Sequence, residues 1–284
     1  MKKLVQRLLL FIITLPLVVF IVVFLPQKNH LAVNITVIVL SALGAFEFRN
    51  ILVRKGYLVS RVEALLLGSL GPGALTLMVS FNIARMVIPV AFVAGSAWLL
   101  ISRIFSREDK FKDVMGYITA GFSVMIYPGI FMAWIVRMNR FPHADMAVLI
   151  FLFMVIANDS LAWAAGMLFG KGNRGIIPAS PNKSIAGYAG GSIASVLVGI
   201  IAVCSIPQAF TASRLPSLSA GIILGLLSGI AASLGDLAES VIKRSSGVKD
   251  SGFLIPGRGG VLDSIDSISL AAPVFYLFYW LLFA

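Results

Sequence analysis

Long apolar runs separated by short polar connections make up most of the chain. Nine such runs stand out, near residues 8–25, 31–48, 64–81, 84–102, 115–136, 144–169, 186–206, 218–238 and 266–284. They approach or exceed the ~20 residues that a helix needs to cross a hydrocarbon core of roughly 30 Å. The pattern predicts an all-α, polytopic integral membrane protein of about nine transmembrane helices. The motif Gly71-Pro72-Gly73 falls inside the third run and predicts a break there. The longest polar connection is about 25 residues, so no soluble domain fits between the runs.

Charge orients this pattern. Only 12% of residues are charged, against roughly 25% in an average soluble domain. The first run follows Lys2, Lys3 and Arg7, as in a signal peptide. It is too long for a signal-peptide core and lacks a small-x-small cleavage site, so an uncleaved first span is expected. With the N-terminus in the cytosol, 18 of the 23 basic residues fall in cytosolic segments. The outer segments hold Lys28, Arg85, Arg137, Arg140 and Arg214. That asymmetry is a positive-inside signal. The net charge of +11 therefore orients helices and faces anionic headgroups, and nucleic acid is not an expected partner. Cys204 is the only cysteine, which excludes a disulfide, and its place in an apolar run reads as core packing. His30 and His143 lie near outer run ends and read as interfacial.

Acidic residues divide the chain. Before about residue 140 the runs hold almost none, and Glu47 sits at a run end next to Arg49. Later runs carry Asp159, Asp236 and Asp266 near their cytosolic ends, joined by Gly-, Ser- and Pro-rich loops at 170–187 and 244–262. Residues 1–140 are expected to form scaffold helices, and 141–284 the catalytic helices and cytosolic loops.

In the eighth run Asp236, Glu239, Ser240 and Lys243 are spaced to share one helix face, as are Asp263, Asp266 and Ser267 in the ninth. Carboxylates at membrane depth are costly and usually functional. Oxygen ligands without His or Cys suit a hard cation such as Mg²⁺. The intervening loop supplies Lys243, Arg244, Lys249 and Arg258, and basic groups beside such a cation suit phosphates. Interhelical ion pairs are the simpler alternative. Pro256-Gly257 and Gly259-Gly260 favour the first reading, because glycines let backbone N–H groups approach an anion closely.

A second cluster begins with Asp159, for which a purely structural hydrogen bond is the alternative. The segment Gly170-Lys171-Gly172-Asn173-Arg174-Gly175 formally matches GxGxxG. It follows a membrane helix and lacks a βαβ unit, so a dinucleotide site is rejected. Lys183 in Ser-Pro-Asn-Lys-Ser serves either a phosphate or topology. Gly187, Gly190 and Gly191 predict close helix packing.

The segment Ser240 to Asp266 reads SVIKR, SSGV, KDSG, FLI, PGRGG, VLDSID. It resembles the signature of the phosphatidate cytidylyltransferases, also called CDP-diacylglycerol synthases. NDS at 158–160 and SPNKS at 180–184 also resemble family segments. The resemblance is close over roughly 155–270 and extends to the N-terminal half only in hydropathy. Arg258 stands where the family usually has His, and Ser264 where it usually has Arg.

The resemblance implies transfer of CMP from CTP to phosphatidic acid, at the cytosolic face of a bacterial cytoplasmic membrane. Asp236 and Asp263 align with the family's metal-binding acids, with Glu239 and Asp159 as further ligands of Mg²⁺, alone or with a second cation. Lys243, Arg244, Lys249, Asp250 and Asp266 are the expected catalytic residues. Lys183, Ser240, Arg258, Gly259 and Gly260 are expected to bind the phosphates. One rival is a cation-coupled transporter, which predicts acids near the bilayer midplane on broken helices. Another is the same transfer onto a different lipid phosphate. Nothing in the sequence sets the oligomeric state, and a homodimer is one option.

Overall fold

The computed structural model describes residues 2–104, 108–210, 215 and 217–283, with side chains from Ile12 onward except those of 108–110. Arg107 and Arg214, and the side chains of Lys2, Lys3, Arg7 and Lys110, all part of the charge asymmetry, lie outside the described residues.

All nine apolar runs are helical. In chain order the helices are α1 (Lys2–Phe24), α2 (Gln27–Arg54), α3 (Arg61–Phe81), α4 (Val87–Ile101), α5 (Val114–Val124), α6 (Phe131–Met138), α7 (Ala144–Phe169), α8 (Ile185–Ser205), α9 (Ser217–Ser245) and α10 (Leu262–Phe283). No strand occurs among the described residues. A wide π-turn, Met125–Ile130, joins α5 to α6 around Pro128. A proline cannot donate to the helical ladder and crowds the preceding turn, which a wider turn relieves. Seven helices among the described residues are long and apolar enough to cross a membrane: α2, α3, the rod Phe111–Met138, and α7 to α10. The described apolar part of α1, Ile12–Phe24, and α4 are shorter. At 1.5 Å per residue, the 15 residues of α4 span about 22 Å, less than a hydrocarbon core. The protein is an all-α integral membrane protein.

The break expected at Gly71-Pro72-Gly73 does not form, and α3 runs through it. Pro72 leaves the Gly68 carbonyl without its usual helical donor. Close packing by small residues accommodates that stretch: a Cβ added to Gly129 would lie 3.0 Å from the Gly68 oxygen.

The chain forms two compact units. The first comprises Met1–Arg137 with Ser245–Ile265, and the second Met138–Arg244 with Asp266–Ala284. The loop segment Ser245–Ile265, grouped with the C-terminal half on sequence grounds, packs with the first unit instead.

Inside the second unit, small residues let helices approach closely. Added Cβ atoms would lie 2.9 Å from the Ala162 oxygen at Gly187 and 3.2 Å from the Leu161 oxygen at Gly190. The corresponding distance at Gly191 is 2.9 Å, to the Asn158 oxygen. These glycines pack α8 on α7, as their spacing predicts. Gly225 of α9 does the same against α8, where a Cβ would lie 2.8 Å from the Val196 Cα. The backbone there has no flexible side chain to move aside. Gly225→Ala is therefore expected to destabilise the protein by about 1–3 kcal/mol, the usual range for overpacking. Thermal unfolding in detergent measures this, and an unchanged transition would contradict the crossing.

Two sequence readings need correction. Cys204 is exposed on α8 rather than packed in a core; exposed positions on a membrane helix are where apolar side chains meet lipid. His30 is buried rather than interfacial, in a left-handed turn formed with Lys28 and Asn29 at the start of α2.

Candidate active site

In the second unit, three helices and one loop gather charge. The loop before α8 is a compact turn with left-handed glycines at 172 and 175. An antiparallel bridge between Arg174 and Ser184 closes it, and Ile185 N donates to the Asn173 oxygen at 3.1 Å. The formal GxGxxG is thus a tight turn, with no βαβ unit around it. Ser184 caps α8 by accepting from Gly187 N at 3.0 Å. The residue before that cap is Lys183, and its ammonium forms an ion pair with Asp236 of α9.

One turn further along α9, Glu239 is completely buried (0% exposed) and pairs with Lys243 at i+4. Gly235 lets α10 approach α9 closely, since a Cβ there would lie 2.5 Å from the Asp266 oxygen. This approach sets Asp266 (7% exposed) in the electrostatic neighbourhood of Asp236, Glu239 and Asp159. The Ser267 hydroxyl donates to Asp159 Oδ1 at 3.3 Å. Asn158, the residue before Asp159, donates from Nδ2 to the Gly229 oxygen (3.1 Å) and to Ser233 Oγ (3.2 Å). Those bonds set the rotation of α7 against α9. Asn158 entered the sequence reading only as part of the NDS segment, although an amide beside an intramembrane acid is a legible signal.

The structure therefore brings Asp159, Asp236, Glu239, Asp266, Lys183 and Lys243 together. Arg244 Nε donates to the Ala179 oxygen at 3.4 Å, tying α9 to the loop before α8. Ser240 is half-buried on the same helix.

The remaining predicted residues belong to the first unit. Ile255 and Gly259 exchange backbone hydrogen bonds of 2.8 and 2.9 Å, closing a tight turn at Pro256-Gly257-Arg258. Gly257 (φ 78°) and Gly259 (φ 114°) take conformations that favour glycine. The turn presents Arg258 to solvent, and Lys249 and Asp250 are exposed as well. The Gly260 N–H does approach an anion, but the anion is the protein's own Asp263, at 2.8 Å from Oδ2. The same oxygen accepts from Ser251 N and from Ser251 Oγ, each at 2.9 Å. Glu47, set aside in the sequence as a run-end acid, is buried against Ser251 and the start of α10.

Residues 5–282 match the profile of the Cytidylyltransferase family. The chain belongs to that family. It is 36% identical over 195 residues to a phosphatidate cytidylyltransferase of Haemophilus influenzae, covering 66% of this chain and 65% of that protein. A phosphatidate cytidylyltransferase of Brucella abortus is 35% identical over 202 residues, 65% of this chain and 72% of the relative. One of Synechocystis is 38% identical over 144 residues, 51% of this chain and 46% of the relative. The match thus spans just under two thirds of the Haemophilus protein's length and about half of the Synechocystis protein's.

The donor chemistry of the second unit fits a divalent cation. Four carboxylates supply oxygen ligands only, the set that hard cations prefer. As the side chains stand, no three His, Cys, Asp or Glu groups among the described residues form a ready ligand cage.

Proposed function

We propose that the protein transfers CMP from CTP to phosphatidic acid, giving CDP-diacylglycerol and pyrophosphate. The observation that carries this reading is the gathering of Asp159, Asp236, Glu239 and Asp266 with two lysines, in a chain of the Cytidylyltransferase family. The names of the relatives support the choice of lipid. In the reaction an anionic phosphate oxygen of the lipid forms a bond to the α-phosphorus of CTP. The bond from that phosphorus to the pyrophosphate leaving group breaks. The nucleophile is already charged, so the chain has no need of a nucleophilic side chain or a strong base. Its task is to position two polyanions and to balance their charge.

Asp236, Glu239, Asp159 and Asp266 would hold Mg²⁺, which when bound would neutralise phosphate charge. Lys183 and Lys243 would orient Asp236 and Glu239 through their ion pairs. Arg258 and Lys249, exposed on the loop, would meet phosphate arriving from water. The basic asymmetry supports a site on the cytosolic side of a bacterial cytoplasmic membrane, where CTP arrives from solution and the lipid from the leaflet. The test is turnover of detergent-solubilised protein with CTP, phosphatidic acid and Mg²⁺. Turnover only with another lipid phosphate would move the assignment to that lipid; none with any lipid phosphate would overturn it.

Arg258 yields a sharper expectation. A guanidinium grips phosphate through two parallel hydrogen bonds, which a histidine cannot do. Ser264, where the family pattern has Arg, donates instead to the Gly260 oxygen at 3.2 Å. Arg258→Ala should lower activity about 10- to 1000-fold, roughly 1.4 to 4 kcal/mol of transition-state stabilisation. Arg258→His combined with Ser264→Arg should recover more activity than Arg258→His alone. Unchanged kinetics of Arg258→Ala in neutral detergent would place Arg258 against anionic lipid instead.

A further inference from the structure

Helix α10 begins without a side-chain cap of its own. Val261, the residue before the helix, is apolar and lacks the side-chain oxygen with which Ser, Thr, Asp or Asn usually accepts from the first turn. Asp263, in the first turn, reaches back to accept the Gly260 N–H at 2.8 Å. Ser251 serves the first turn from the loop, its Oγ accepting from Asp263 N at 3.2 Å. The next orphaned donor, Leu262 N, goes to Glu47 Oε2 of α2 at 2.8 Å. Ser251 Oγ lies 3.0 Å from that same oxygen.

Two loop glycines make the slot for this carboxylate. A Cβ on Gly260 would collide with Glu47 Oε2 and Ser251 Oγ. One on Gly252 would collide with Glu47 Oε1 and lie 2.7 Å from its Cδ and 3.3 Å from its Cγ. Neither glycine is among those with positive φ, so space rather than backbone conformation demands them. Glu47 is 2% exposed, so its carboxylate is a buried part of this loop and not a surface charge.

We propose that Glu47 is a positioning residue. Its carboxylate stands in for the missing cap side chain of α10 and holds Ser251–Leu262 in the conformation that presents Arg258. The kinetic part of this proposal rests on the cytidylyltransferase reading; the structural part does not.

The test is a double-mutant cycle on the full chain with two readouts. The first is hydrogen exchange of the amides at 262–265. Glu47→Ala and Gly252→Ala should each speed that exchange about 10-fold or more. Gly252→Ala should add little in the Glu47→Ala background, because the atoms it collides with are gone. The second readout is transfer of CMP, comparing Glu47→Gln with Glu47→Leu. Both fill the slot, but only Gln keeps an oxygen that accepts from Leu262 N. Gln should retain kcat/KM within about 5-fold and Leu should lose at least ~10-fold, at similar melting temperatures. Additive damage in the cycle, unchanged exchange in Glu47→Ala, or equal kinetics for Gln and Leu would overturn the proposal. A wild-type protein that transfers no CMP would defeat the functional reading alone, since the exchange cycle still decides the role of Glu47.

Discussion

Asp236→Asn should reduce cytidylyl transfer at least ~1000-fold while the protein stays folded. Asn keeps the shape of Asp and an oxygen that the Lys183 ammonium can donate to, so the loop before α8 retains its anchor. What disappears is the negative charge. A neutral amide is a weaker ligand than a carboxylate for a hard divalent cation, and a weaker hold on a cation that would neutralise phosphate charge costs several kcal/mol of transition-state stabilisation. The check is turnover across a Mg²⁺ titration, with size-exclusion profile and melting temperature as folding controls. Activity near the wild-type level at ordinary Mg²⁺ would remove Asp236 from the chemistry. Recovery at high Mg²⁺ would instead locate the defect in cation affinity.

The second large effect is on stability. Lys243→Met should destabilise the protein by about 3–5 kcal/mol, because Glu239 is completely buried and pairs with Lys243 on the same helix. Met preserves much of the volume, so the loss reports the charge. A lysine that served only to clamp substrate would lower kcat/KM when replaced and leave thermal unfolding untouched. Glu239→Gln in the same background should restore part of the stability, since it removes the buried charge that Lys243 balances. A melting temperature equal to wild type for Lys243→Met would show that the pair contributes nothing.

The helices were legible because membrane crossing leaves a coarse signal, a run of apolar residues whose length is set by the bilayer. All nine runs are helical, and α7 has the predicted limits, Ala144–Phe169. The exception, the unbroken α3, turns on Gly129 from another helix, which no local pattern around Pro72 announces. The acids of α7, α9 and α10 were found because a carboxylate in an apolar run is conspicuous and i, i+3 spacing places such groups on one face. Glu47 was passed over for the opposite reason. It lies near the end of an apolar run beside Arg49, where an acid is unremarkable, and its partners Ser251 and Leu262 are more than 200 residues away. Lys243 was read as a phosphate clamp because the spacing that makes a basic face also makes an i,i+4 ion pair, and only burial tells the two apart.

The boundary between Ile265 and Asp266 falls inside the first turns of α10. The signature segment is therefore shared out, with Ser240 and Asp266 in one unit and residues 245–265 in the other. A gene cut near residue 140, the natural place by hydropathy, would yield a C-terminal fragment that contains every motif of the signature. That fragment would still lack α2, and with it the carboxylate lodged between Gly252 and Gly260. The motif-bearing half is not a module that can be lifted out: its loop takes part of its shape from residues encoded at the other end of the gene.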